Sequence, residues 1–246
     1  MLNLSFDKIL FLDIETVPQV GQFAMLNDEM QHLWEGKFNA LSSRMPDKYE
    51  GQDAAICFDN SAGIYAEFGR IVCISIGICY YKNGERHFRT KSFAGDDEAE
   101  VLRGFSDLIA QFFTTPNHTF CGHNIKEFDI PYICRRMLIN GLKLPHQLQI
   151  AGKKPWELNF IDTLDLWKFG DYKNYTSLKT LTAIFGIPTP KDDIDGSEVA
   201  RVFYIEKNIQ RIAVYCQKDV LATAQVLLRL CGEKLIEAEY IEHVYE

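Results

Sequence analysis

Two carboxylates stand two residues apart near the start of the chain, Asp13 and Glu15, in the run Phe11-Leu12-Asp13-Ile14-Glu15-Thr16. In an extended strand residues i and i+2 point to the same face, so these two acids project together. Paired carboxylates repel each other and are costly beside apolar neighbours, and a divalent cation removes that penalty. Taken alone, the pair is also what a solvated strand end would show. A further acid, Asp129, closes the segment Gly122-His123-Asn124-Ile125-Lys126-Glu127-Phe128-Asp129. It stands where a strand gives way to a helix, so it is placed to cap that helix or to hold an ion, and its two oxygens allow both. Phe128 is placed to stack on a base or to fill the core. Asn124 is placed to make a turn or to orient a neighbour by hydrogen bonding. A third segment, Tyr215-Cys216-Gln217-Lys218-Asp219, sets a phenol and a carboxylate one turn apart on one helix face. A half-buried tyrosine and a solvated aspartate would share that spacing.

The elements that must hold these groups are legible as pattern. Residues 8–14 form a short, nearly all-apolar run that suits a central strand buried on both faces. Asp13 and Glu15 then lie at its C-terminal end, where α/β sheets place ligands. Residues 70–81 are rich in Ile, Val and Tyr, and Asn83-Gly84 signals a hairpin whose return strand is 86–93. Asp96, Asp97 and Glu98 open a helix to about residue 113, a structural use of acids at the positive end of a helix dipole. A short strand at 119–122, a helix at 130–140 with Pro131 in its first turn and Gly141 after it, and a strand at 159–162 follow. Helices at 177–185 and from 198 through about 231 complete the series. Strand, hairpin, helix, strand, helix, strand and helices make a mixed central sheet with helices on its faces, an α/β fold. Between the first two strands, residues 19–67 read as an insertion with a helix at 22–34 and irregular loop at 42–63.

Composition narrows the function classes. The chain has 246 residues and a net charge of −8, so it lacks the basic footprint of a protein that coats nucleic acid. A polyanionic substrate would have to be met by a local groove and bound cations. The seven cysteines form no Cys-x-x-Cys pair and no zinc-finger spacing, and read as buried, reduced thiols of a cytoplasmic protein. No basic-then-apolar leader opens the sequence, and no apolar run reaches membrane-spanning length.

The three acidic segments, in this order and on these elements, resemble the DEDD superfamily of 3′–5′ exonucleases, in the branch with tyrosine in its third motif. The chain is similar to the proofreading exonuclease domain of B-family DNA polymerases, as a free-standing predicted exonuclease, over about residues 8 to 230. The resemblance implies a ribonuclease-H-like fold, here one domain over 1–246 with the insertion at about 19–67. It implies two Mg²⁺ or Mn²⁺ ions held by Asp13, Glu15, Asp129 and Asp219, with Tyr215 orienting the attacking water. It implies that Glu15 meets the terminal 3′ hydroxyl, and that Ile14, Thr16, Asn124 and Phe128 hold the last nucleotides. The implied substrate is the 3′ end of single-stranded nucleic acid, DNA in preference, in replication or repair. The same residues also serve exoribonucleases of this branch, and a catalytically silent binding module is the reading from another class. His123 is not expected to act as a base, because in the histidine branch that residue lies in the third motif, where this chain has Tyr215. Asp162 is expected to support the site rather than join it. Lys191 is placed to touch a phosphate or to be a solvated loop lysine. Phe160, Trp167, Phe169, Tyr172 and Tyr175 are placed to line a strand-binding groove or to pack.

Overall fold

The computed structural model describes residues 4–171, 173, 175–188 and 194–244. In chain order its elements are β1 (Ile9–Pro18), α1 (Asp28–Arg44), α2 (Pro46–Tyr49), α3 (Ala54–Ser61), β2 (Gly69–Lys82), β3 (Glu85–Ala94), α4 (Glu98–Phe112), β4 (Thr119–Gly122), α5 (Asp129–Ile139), β5 (Ile161–Asp162), α6 (Thr163–Lys168), α7 (Leu178–Ile184), α8 (Val199–Arg201), α9 (Ile209–Leu230) and β6 (Ile241–Val244). One six-stranded sheet has the order β5-β4-β1-β2-β3-β6. β1 runs antiparallel to β2 and parallel to β4, so the sheet is mixed, as the element order predicts.

β1 is central because it is apolar on both faces. Leu10, Leu12 and Ile14 pack with α4 and α5, alongside Val101, Phe105, Ile130 and Ile133. Ile9 and Phe11 point the other way and pack against Val220, Ala224 and Leu227 of α9. Asp13 and Glu15 continue that second series, so both acids face α9. α9 approaches the sheet closely over Gly77, where a Cβ would lie 2.3 Å from the Phe88 ring and 2.8 Å from Val220. Only glycine fits there. The β2–β3 hairpin turns at Asn83 and Gly84, both at positive φ as a type I′ turn requires.

Residues 19–67 depart from the expected helix-then-loop. α1 begins at Asp28, capped by the Asn27 side chain 2.9 Å from the Met30 N–H, and runs to Arg44. Residues 42–63, expected as loop, carry α2 and α3. Pro46 sits in the first turn of α2, where its missing N–H does no harm, and Asp53 caps α3. Their apolar residues close on Trp34, which is fully buried, donates to the Ala54 carbonyl at 2.7 Å, and packs edge-on with Phe58 and Phe68. The segment thus has a small core of its own. It is stitched to α5 by Tyr132, which donates to the Gly63 carbonyl at 2.7 Å, and by Arg136, which donates to the Ala66 carbonyl at 2.9 Å. Strand β6, along the edge of β3, was not expected from sequence.

Candidate active site

The acidic site lies where the parallel strands end. The β1–β4 ladder pairs Ile9 to Phe11 with Thr119 to Cys121 and goes no further, because the chain leaves β4 at Gly122. Asn124 makes the departure at φ 65°, a left-handed turn that asparagine tolerates better than most residues. Its carbonyl accepts from the Phe128 N–H at 3.0 Å, so its turn-making role is the one seen. β1 continues past this point, and the Ile14 N–H and the N–H of Asp129 itself lie near enough to the Asp129 carboxylate to favour its charged form. Asp129 is the first residue of α5, and the capping position itself falls to Phe128, so the expected side-chain cap is not made. The carboxylate is free to turn toward β1 instead.

α9 supplies the rest. The Tyr215 hydroxyl stands beside the Asp219 carboxylate, one turn along. All four acids lie within electrostatic reach: Asp13 feels Asp129 and Asp219, and Glu15 feels Asp13, Asp219 and Asp129. Burial, then these like charges, pushes the Asp13 and Glu15 carboxyls well above the usual range. Burial pushes Asp129 up to about 7 from the ordinary 3.8, against the two N–H groups that favour its charged form. Burial and the nearby acids also raise the Tyr215 phenol, so it keeps its proton at neutral pH.

Among the described residues no lysine, arginine or histidine pairs with Asp13, Glu15 or Asp129. Glu15 is only 8% exposed, yet its carboxylate accepts no hydrogen bond from a described residue. A buried, unpartnered carboxylate among like charges is costly unless a cation joins it. A donor set rich in carboxylate oxygen suits hard divalent ions such as Mg²⁺ or Mn²⁺, so the residues fit such ions.

The neighbouring positions divide by partner. Asp162 is buried and its carboxylate accepts from the Asn124 and Lys126 N–H groups, at 2.9 and 3.2 Å, and from Leu164 and Asp165 of α6. It braces the Asn124 turn and does not face the cluster as a free ligand. Both ring nitrogens of His123 are occupied, by the Thr163 hydroxyl and the Thr176 carbonyl, each at 2.9 Å. Its burial lowers its pKa. Ile14 and Phe128 pack into the core, so only the Ile14 backbone and part of the Phe128 ring are offered to a substrate. The Thr16 hydroxyl meets that of Tyr132. Of the aromatics considered for a groove, Phe160 stacks edge-on to Phe120 and Trp167 to Phe185. Phe169 and Tyr175 are exposed, and Tyr175 lies near enough to feel Asp129, Asp162 and Asp13. Tyr172 and Lys191 fall outside the described residues. Sequence reasoning missed Cys216, read only as a buried thiol, whose Sγ donates to Asp13 Oδ2 at 3.3 Å. Its signal was its place between Tyr215 and Asp219.

A family described as a predicted 3′–5′ exonuclease related to the exonuclease domain of PolB matches residues 64–245. That span holds Asp129, Tyr215 and Asp219, while Asp13 and Glu15 reach them through the sheet. The structure is similar to that of the family B DNA polymerase from the hyperthermophilic archaeon Pyrobaculum calidifontis, with 16% identity and a TM-score of 0.54. The similarity covers 90% of this chain and 24% of that polymerase, so this chain matches about a quarter of its length. It supports the ribonuclease-H-like fold expected from the motifs. No curated protein matches. The chain belongs to the family of predicted 3′–5′ exonucleases related to the PolB exonuclease domain.

Proposed function

We propose that the chain removes nucleoside 5′-monophosphates from the 3′ end of single-stranded DNA, with Asp13, Glu15, Asp129 and Asp219 holding two Mg²⁺ or Mn²⁺ ions. The observation that carries the reading is Glu15, buried and without a hydrogen bond from any described residue in the midst of three other carboxylates. Such ions, when bound, lower the pKa of the attacking water and stabilise the leaving 3′ oxygen. The chain's own residues do the positioning. The Ile14 N–H, at the end of β1, lies beside the Asp129 carboxylate at the start of α5 and favours its charged form. Tyr215 keeps its proton, so it orients the attacking water through its hydroxyl and does not serve as the base. Glu15 also receives the terminal 3′ hydroxyl, which restricts cleavage to chain ends. The Ile14 backbone, Thr16, Asn124 and the exposed part of Phe128 cradle the last nucleotide, and Tyr175 offers an exposed ring to a base beyond it. All seven cysteines are free, which suits the reducing cytoplasm, and we place the protein there in DNA repair.

The test is digestion of 5′-labelled single-stranded DNA and matched RNA with Mg²⁺ or Mn²⁺, beside EDTA and Asp13→Ala controls. A ladder shortening from the 3′ end, dependent on metal and lost in Asp13→Ala, is expected, with DNA cut faster than RNA. Faster cutting of RNA would move the substrate to RNA. No cleavage of either strand by folded, metal-loaded protein would end the exonuclease reading.

A further inference from the structure

A soft donor stands among the hard ones. Cys216 follows Tyr215 on α9 and so points about 100° around the helix from it, toward the sheet. Its Sγ lies 3.3 Å from Asp13 Oδ2 and 3.5 Å from the Asp13 carbonyl oxygen. One donor atom each from Asp13, Glu15 and Cys216 lies within 4.8 Å of the others. Two donors on one tetrahedral ion sit roughly 3.5 Å apart when metal–oxygen and metal–sulfur bonds are about 2.0–2.3 Å. The donors are therefore already near coordinating spacing.

A buried thiol bonded to a carboxylate would not by itself indicate an ion. Glu15 adds the independent observation: it is over nine-tenths buried, has no hydrogen-bond partner among the described residues, and is directed into the same cluster. A second sulfur is close. Cys73 stands opposite Glu15 in the β1–β2 ladder, on the same face, and is near enough to Cys216 to perturb its thiol.

We propose that Asp13, Glu15 and Cys216 form a site for a thiophilic divalent cation, of the kind of Zn²⁺ or Cd²⁺, that displaces the hard ions and holds the nuclease idle. Binding breaks the Cys216 S–H bond, releases its proton to solvent and forms a sulfur–metal bond; no electron is transferred. Two carboxylates and a thiolate then surround a doubly charged ion. Sulfur selects such ions over Mg²⁺, which favours oxygen. The inhibition rests on the exonuclease reading of this site, and the binding does not.

The experiment titrates metal-free, folded protein with Cd²⁺ and follows the ultraviolet charge-transfer absorption of cadmium thiolate. Wild type is compared with Cys216→Ser, Glu15→Gln and, as a control thiol outside the cluster, Cys134→Ser. The expected result is one equivalent of band in wild type and in Cys134→Ser, its loss in Cys216→Ser, and roughly tenfold weaker binding in Glu15→Gln. A parallel Mn²⁺-supported digestion should need about tenfold more Zn²⁺ for half-inhibition in Cys216→Ser than in wild type. An unchanged band in Cys216→Ser, or none in folded wild type, overturns the proposal. Should Cys216→Ser not fold, Glu15→Gln decides: unchanged Cd²⁺ affinity in that variant overturns it. The expected bands with no nuclease activity under any metal would sink the exonuclease reading and leave the cation site standing. Nuclease activity without the bands would do the reverse.

Discussion

Two buried carboxylate groups flank this sheet, and they are built oppositely. Glu98, at the start of α4, is 6% exposed, and every part of it is answered. Arg136 grips both its oxygens at 2.8 and 2.6 Å, Asn140 donates at 2.9 Å, and the Ile71 N–H donates at 2.7 Å. In the cluster of Asp13, Glu15, Asp129 and Asp219, Glu15 is 8% exposed and no described residue grips it. A structural acid in an interior is surrounded until its charge is neutralised. An acid that no described residue answers at a similar depth suits a bound cation. Sequence shows an Asp or a Glu in either place, and only the partners separate them.

The sharpest way to break this comparison is to neutralise one member of each group. Asp13→Asn should lower nuclease rate by roughly 10³-fold, the scale reached when a group stabilising transition-state charge is removed, while the metal-free protein melts no lower than wild type. A large fall in melting temperature would mean that Asp13 is structural. Arg136→Met should do the opposite: it strands Glu98 and releases the Ala66 carbonyl, for a loss of about 3–5 kcal/mol in denaturant unfolding, with the activity of the folded fraction kept. Tyr215→Phe should reduce rate by about 10–100-fold and leave metal affinity, measured by Mn²⁺ titration, unchanged. A shift in metal affinity would make the phenol a prop for Asp219 rather than for water.

Smaller, and most diagnostic, is the response to pH without metal. Asp13, Glu15 and Asp129 all have raised folded-state pKa values, Asp129 to about 7. The folded state therefore holds protons that the unfolded state gives up near pH 4. Their contribution to stability is full below that range and is lost as pH rises through about 7. EDTA-treated protein should melt higher at about pH 6 than at about pH 8, and Mn²⁺ should flatten the difference. Glu15→Gln, which removes a charge but no hydrogen bond, should raise the metal-free melting temperature at about pH 8 by about 2–4 °C. A lower melting temperature there would mean that Glu15 has a stabilising partner.

Local chemistry carried much of this into the sequence. The alternation in β1 placed Asp13 and Glu15 on one face, and the Asn83-Gly84 turn fixed the hairpin that shields them. Asp97 caps α4 by accepting from Ala99 and Glu100, as the acidic start of that helix implied. Whatever depended on distant partners was hidden. The four residues of β6 carry too little pattern to stand out, and exist as a strand only because β3 has an open edge. α1 to α3 gather round Trp34, a contact that breaker residues such as Pro46 and Gly51 obscured. Cys216 and Cys73 lie 143 positions apart, so only the packing of α9 on β2 reveals that they meet behind Asp13.

The two flanks of the sheet bear on behaviour in concentrated solution. β5 has two residues and β6 has four, so each outermost strand is short, and β6 covers the middle of β3, Phe88 to Lys91. Long bare margins recruit neighbouring molecules into growing ribbons. β3 would present ten residues if β6 were cut away, with the Phe88 side chain beneath it fully enclosed. Deleting residues 241–244 should increase self-association, visible as light scattering that rises above that of the full chain. β6 would then be a guard against fibrillation, at the margin of the sheet opposite β5.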